Sequence, residues 1–128
     1  MSTAINWFEI PVKDIGRAAE FYGTVLNAAL GEMEGPDGSM RTFMGEEGPT
    51  GALIQADADN PPSATGTLVY LSCDDIDSAL ERVRGAGGQI QQSKTSIGPF
   101  GFIGCMLDPD GNRVALHTPA QPDAMAGG

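Results

Sequence analysis

A short motif that occurs twice constrains the fold of this 128-residue chain more than any other feature. The segment VKDIGRAAE at 12–20 is followed 61 positions later by CDDIDSALE at 73–81, and the two share Asp, Ile, Ala and Glu. Each copy follows a short apolar run. An internal repeat predicts copies of one supersecondary unit that bury a common core. We therefore expect two pseudo-symmetric modules, an arrangement suited to holding a ligand between them.

Each module is predicted to contain a strand, a helix and three further strands. Apolar runs at 5–12 and 67–73 indicate the first strands, and Asp14 and Asp75 are typical helix N-caps. A short strand is predicted at 27–32, a turn at 35–38 and another at 46–50. The expected fold is α+β: two tandem βαβββ modules forming an incomplete eight-stranded barrel around a central cavity, with the helices outside.

The predicted domain organisation is a single domain over residues 1–120. Module one spans 4–57, a polar linker with two consecutive prolines spans 58–66, and module two spans 67–119. Residues 120–128 are expected to be a loose tail.

The charge of the chain argues against some partners. The sequence has 17 Asp and Glu against 7 Lys and Arg, a formal net charge of −10. Without a basic patch, neither nucleic acid nor an anionic membrane is expected as a partner. The sequence also lacks a signal-peptide pattern and an apolar run of about 18 residues, which predicts a cytoplasmic protein. Cys73 and Cys105 are then expected to be reduced, buried thiols.

Three segments together resemble the vicinal oxygen chelate superfamily, which includes glyoxalase I, bleomycin-resistance proteins and extradiol dioxygenases. They are FEIPVKDIGRAAEFYGTVL at 8–26, VYLSCDDIDSALERVRGAGGQI at 69–90 and GCMLDPDGNRVALHTP at 104–119. The segment GGQIQQSKTSIGPFGF at 87–102 further resembles the branch described as predicted enzymes related to lactoylglutathione lyase. The resemblance covers about residues 4–119, implies the same fold, and suggests a homodimer.

The resemblance also implies where a metal would bind. Metal-dependent members place His, Gln or Glu at symmetric positions on the first and last strand of each module. Counted from the capping aspartates and the turn glycines, the corresponding positions are Trp7, Gln55, Leu68 and Ala115. Trp, Leu and Ala offer no lone pair to a cation, and a single amide oxygen does not hold a divalent metal. A shift of two positions would bring in Glu9 and His117, which are still only two ligands. We therefore expect no metal and no cofactor.

Strand alternation predicts which other side chains line the hollow between the modules. Those on the same faces as the four positions above are Glu9, Tyr70, Ser72 and His117. Together with Trp7 they would give the hollow the apolar walls and few polar groups that are typical of a small-molecule site.

Two of these side chains could act in catalysis. Glu9 is the candidate for moving a proton next to a carbonyl; the alternative is a partly exposed acid paired with Arg41 or Lys94. His117, the only histidine, could serve as a base near neutral pH, or be a rim or surface residue.

The remaining candidates would contact a ligand. Trp7 could stack on a planar molecule or fill space left by the metal, and Tyr70 and Ser72 could bind a ligand oxygen or form part of the wall. Arg41 could pair with a ligand carboxylate or lie on the surface. Met106 could form an adaptable wall or ordinary core.

Three functions are consistent with these residues. The first is a metal-free protein that binds a small organic molecule between the modules. The second is a metal-independent lyase or isomerase of glyoxalase type, with Glu9 as the proton-transfer group. The third is a metal-dependent lyase or dioxygenase with displaced ligands.

Overall fold

The computed structural model describes residues 4–35 and 38–120 as two βαβββ modules in tandem. Module one contains β1 (Phe8–Val12), α1 (Ile15–Leu26), β2 (Gly31–Gly35), β3 (Gly38–Gly45) and β4 (Gly48–Gln55). Module two contains β5 (Tyr70–Ser72), α2 (Ile76–Gly85), β6 (Gln89–Ser96), β7 (Phe102–Leu107) and β8 (Arg113–Thr118), with a 3-10 turn at Gly98–Phe100 before β7. The predicted α+β fold is confirmed.

Each module forms a four-stranded mixed sheet. The strand orders are β1-β4-β3-β2 and β5-β8-β7-β6. In both sheets the first strand runs parallel to the last strand of its module, and the other neighbours are antiparallel. Within the described residues no strand of one sheet pairs with a strand of the other, so the two sheets are not closed into a barrel.

The aspartates of the repeat begin both helices as predicted. The Asp14 carboxylate accepts a hydrogen bond from the Arg17 backbone N–H at 3.1 Å, and Asp75 accepts one from the Ser78 backbone N–H at 2.9 Å. Each carboxylate satisfies an N–H that has no partner within the helix. The helices of the two modules therefore begin with the same kind of N-cap.

The second strand of module one begins later than the sequence predicts. Residues 27–30 do not form the predicted strand start, because Asn27 adopts the left-handed conformation at φ 54° and caps α1. The Ala28 N–H then binds the Gly23 carbonyl, and β2 starts only at Gly31. Similarly, the turn predicted at 46–50 is shorter, because Gly48 (φ 126°) already begins β4. The segment 27–30 is thus a loop beside the end of α1.

Two predicted features fall at the limits of the described residues. Residues 36 and 37 of the predicted turn lie outside them, as do residues 121–128 of the predicted tail. Within the described ranges, neither helix has the length and apolar character needed to cross a membrane.

One continuous core joins both modules. It contains the inner faces of α1 and α2 and one face of each sheet, including Ile10, Leu71, Val114 and Leu116. Alternation along the strands puts these four side chains on the face that packs against the helices, and all four are buried. The opposite faces of the strands are the ones that carry Glu9, Tyr70 and His117.

Buried hydrogen bonds tie module one to the turn between β7 and β8. The Tyr22 hydroxyl on α1 donates to Asp108 Oδ2 at 2.6 Å. Asn112 Nδ2 donates to the Pro11 carbonyl at 2.8 Å and to Asp108 Oδ2 at 3.0 Å. The Ser63 N–H of the linker donates to Asn112 Oδ1 at 2.9 Å. This network fixes how the two modules sit against each other.

Candidate functional site

Strand register identifies the symmetric positions of the two modules. Glu9 pairs with Ala52 across β1 and β4, and Tyr70 pairs with Ala115 across β5 and β8. Glu9 and Tyr70 are equivalent in the repeat because both lie five residues before a helix-capping aspartate. The counterpart of Ala115 in module one is therefore Ala52, not Gln55.

The predicted placement of Gln55 in the hollow is corrected by the same register. Gln55 pairs with Val12, a fully buried core residue, and so lies on the face of the sheet opposite to Glu9. Its Nε2 donates to the Lys13 carbonyl at 3.0 Å. The side-chain amide therefore has a backbone partner, although the residue borders a small cavity of about 130 Å³ that Glu9 also lines.

The residues at the symmetric positions do not fit a divalent cation. The four are now Trp7, Ala52, Leu68 and Ala115, and both alanines are fully buried. None offers a nitrogen, oxygen or thiolate lone pair of the kind that binds divalent metals. In the described part of the chain no group of three or more His, Cys, Asp or Glu side chains could hold a metal ion.

Glu9 is exposed at the surface of the hollow. Its Oε2 accepts a hydrogen bond from Trp7 Nε1 at 3.2 Å. It borders the 130 Å³ cavity and a second one of about 350 Å³, which is also lined by Arg113 and linker residues. The hydrogen bond from the indole places the Trp7 and Glu9 side chains next to each other.

Neither basic residue expected beside Glu9 pairs with it. Arg41 pairs with Leu53 on the core face of β3, and its guanidinium donates to the carbonyls of Gly31 (3.0 Å) and Leu30 (3.1 Å). Lys94 forms an ion pair with Asp77 at 2.9 Å. The expected pairing of Glu9 with Arg41 or Lys94 is therefore wrong, and the Arg41 guanidinium is bound by backbone carbonyls rather than turned to the hollow.

His117 and Ser72 are neighbours on the open face of module two. They are directly opposite each other on β8 and β5. His117 Nε2 lies 2.7 Å from the Phe100 carbonyl. Since a carbonyl only accepts, Nε2 carries the hydrogen, and Nδ1 of the neutral ring is left as an acceptor. His117 is half-buried, in keeping with the rim position expected as an alternative.

Met106 does not line the hollow. Its side chain is fully buried in the core, in register with Val114 of β8 and Ile90 of β6. The neighbouring residue Cys105 lies on the other face of the sheet, where it pairs with Ala115 of β8. Met106 is thus ordinary core, as one of the two sequence interpretations held.

A cavity between α1, the β3–β4 hairpin and β5 joins the modules, and we call it the inter-module cleft. Its volume is about 740 Å³, within the usual range for small-molecule pockets. Its lining residues are Phe8, Leu26, Ala28, Ala29, Leu30, Phe43, Met44, Gly45, Glu46, Thr50, Tyr70, Leu71 and Ser72. Of the residues predicted from the sequence, the cleft includes Tyr70 and Ser72.

Aromatic and aliphatic side chains form the walls of the cleft. The rings of Phe8 and Phe43 are 5.3 Å apart at 36°. Met44 and Tyr70 are more than half exposed, unusually so for large apolar side chains. Most of these residues could not be identified from the sequence, because the loop at 27–30 and the β3–β4 hairpin reach the cleft only through tertiary packing.

The fold and the cleft define a class of protein. Two tandem βαβββ modules joined by one core are the architecture of the vicinal oxygen chelate proteins. A sequence model of the Glyoxalase/Bleomycin resistance protein/Dioxygenase superfamily matches residues 4–116, and the chain belongs to this family.

Relatives of known sequence include glyoxalase-like proteins. The putative glyoxylase CFP32 of Mycobacterium tuberculosis is 28% identical over 120 residues, which are 87% of this chain and 44% of that protein. This chain therefore spans less than half the length of the mycobacterial relative. A glyoxylase-like domain-containing protein of Didymella fabae is 30% identical over 125 residues, covering 89% of this chain and 92% of the relative.

A solved structure supports the fold. TnmS3, an antibiotic binding protein from Streptomyces sp. CB03234, superimposes with a TM-score of 0.67 at 24% identity. The match covers 93% of this chain and 98% of TnmS3. At this identity the likeness establishes the fold alone.

Proposed function

We propose that this protein binds a small, largely apolar organic molecule in the inter-module cleft without a metal ion. The observation that carries the proposal is the composition of the cleft: walls from both modules are aromatic or aliphatic, and Thr50, Tyr70 and Ser72 add hydroxyl groups. Apolar walls with a few polar groups are typical of ligand pockets. The symmetric positions without metal ligands support binding that needs no cation.

A direct test measures binding of a planar neutral aromatic, acridine, to protein treated with EDTA. Ala29 is exposed and lines the cleft, so Ala29→Trp fills the cleft without disturbing the core. Ala58→Trp, at an exposed linker position, is the matched control. We expect saturable fluorescence changes in the wild type and in Ala58→Trp, unaffected by EDTA, and binding weaker by about tenfold or more in Ala29→Trp. Equal binding by both variants, or no saturable binding of acridine, would overturn the proposal.

A second function is supported by the geometry at Glu9. The carboxylate is oriented by Trp7 at 3.2 Å and borders two cavities, as a proton-transfer group in a metal-independent lyase or isomerase would be. The test is turnover of the glutathione hemithioacetal of methylglyoxal in EDTA. Activity that is lost in Glu9→Gln and kept in Glu47→Gln, with unchanged circular dichroism, supports this function. Activity equal in both variants contradicts it.

A metal-dependent lyase or dioxygenase with displaced ligands has less support. It would have only two candidate ligands, Glu9 and His117, and two side chains are too few to retain a transition metal. Stoichiometric transition metal retained after purification without chelators would favour this function over the first two.

Two further expectations remain proposals. We infer a homodimer, which sedimentation velocity would test, and a cytoplasmic location, which fractionation of the source cells would test.

A further inference from the structure

The charge at the inter-module cleft is negative only. Glu46 is the only charged residue that lines it within the described chain, and no Lys, Arg or His contributes to the described lining. Glu46 lies in the turn between β3 and β4, which end and begin at Gly45 and Gly48, so the hairpin carries its carboxylate at the rim. Among the described residues no ion pair involves Glu46. The rim therefore presents a carboxylate that is not neutralised.

A basic residue in a groove next to the cleft is bound by backbone carbonyls. Arg41 donates to the carbonyls of Leu30 and Gly31, and it lines a separate groove on α1. Three other cations form ion pairs elsewhere: Arg82 with Asp74 at 2.7 Å, Arg84 with Glu81 at 3.3 Å and Lys94 with Asp77 at 2.9 Å. The net charge of −10 adds a negative background. A ligand anion in the cleft would thus meet no compensating cation.

The walls of the cleft favour a positive charge as well. Tyr70, which is 53% exposed, borders it, and the face of an exposed aromatic ring attracts cations. Exposed thioethers such as that of Met44 accommodate flat rings of varied shape.

From these charges and walls we propose that the ligand of the cleft is a planar aromatic compound carrying a cationic nitrogen, with Glu46 as its counter-ion. The inference rests on the proposed ligand-binding function and narrows it, because anionic ligands such as glutathione conjugates and phosphonates are disfavoured. Glu46 selects by charge, and the aromatic walls supply the contact area.

The test compares three probes that share one ring system, in mildly alkaline buffer. They are 9-aminoacridine (cation), acridine (neutral) and acridine-9-carboxylate (anion), titrated by fluorescence into the EDTA-treated full chain. We expect the cation to bind about three- to tenfold more tightly than neutral acridine, and the anion more weakly than both. The preference for the cation should shrink as salt is added.

Two matched variants test whether Glu46 causes the preference for the cationic probe. In Glu46→Gln the cation should bind about three- to fivefold more weakly while acridine is unaffected. Glu47→Gln removes the adjacent carboxylate, which does not line the cleft, and should change neither. Equal affinity of the wild type for all three probes, or equal effects of the two variants, would overturn the charge selection while leaving the binding function intact. Failure of acridine to bind would instead overturn the binding function itself.

Discussion

The hydrogen bond between Tyr22 and Asp108 gives a quantitative prediction for Tyr22→Phe. The substitution removes one hydroxyl from a fully buried side chain and leaves the ring packing unchanged. Hydrogen bonds to a charged group contribute about 1.5–3 kcal/mol to stability. The carboxylate would keep three N–H donors, from the Asp110 backbone and from the backbone and side chain of Asn112. We therefore expect a loss in the lower part of that range, about 2 kcal/mol.

Urea denaturation followed by circular dichroism measures this loss directly. For a chain of this size, about 2 kcal/mol corresponds to a decrease in Tm of about 8 °C. Tyr70→Phe is the control, because the Tyr70 side chain is 53% exposed and its hydroxyl is open to solvent. A loss below about 0.5 kcal/mol in Tyr22→Phe, or an equal loss in both variants, would refute the claim that this bond holds the modules together.

The pKa of Tyr22 predicts how the loss of stability in Tyr22→Phe depends on pH. Burial, and next the negative charge of Asp108, raise the pKa of Tyr22 well above its ordinary value. The folded chain thus keeps a proton that the unfolded chain releases near pH 10. The stabilisation is fully present below that pH and is lost as the pH rises above it. The stability difference between wild type and Tyr22→Phe should therefore narrow between about pH 9 and pH 11; a constant difference would contradict the raised pKa.

Three further predictions concern other parts of the fold. Gly51→Ala should lower stability by about 1–3 kcal/mol because the new Cβ would overlap the Phe8 ring. Gly85→Ala, where a Cβ would meet open space, should leave stability unchanged. Urea denaturation of both variants measures the difference. Asp75→Ala should cost about 1 kcal/mol through loss of the α2 N-cap, measured in the same way, and an unchanged midpoint would argue against the cap. Burial raises the pKa of the Cys73 thiol, so a thiol reagent should modify it slowly in native buffer and rapidly in denaturant; fast native reaction would contradict its burial.

Much of the fold could be predicted because its determinants are local. The capping aspartates Asp14 and Asp75 set the helix starts from their own side chains, and alternation along β1 and β8 separates core from open face. The end of α1 was harder to predict from the sequence. The left-handed cap at Asn27 replaced the start of a strand, because a single residue decides whether the chain turns or extends there.

The candidate site was predicted less completely because it depends on strand register. The position of Gln55 follows from the pairing of β4 with β1, which no local sequence pattern shows. Ala52, the true counterpart of Ala115, carries no chemical feature that would draw attention to it. Tyr70 and Ser72 were found because their strand is short and directly precedes the second copy of the repeat.

The hydrogen bond from Asn112 to Pro11 also bears on self-association. β1 is an edge strand, and such strands can recruit a foreign strand through unpaired N–H and C=O groups. The Val12 carbonyl binds the Ala56 N–H, so the preceding Pro11 carbonyl points to the outer edge, where Asn112 Nδ2 occupies it. Proline has no N–H to offer at the same position. At Pro11 the outer edge of β1 therefore presents neither a donor nor a free acceptor, which opposes pairing with a foreign strand there.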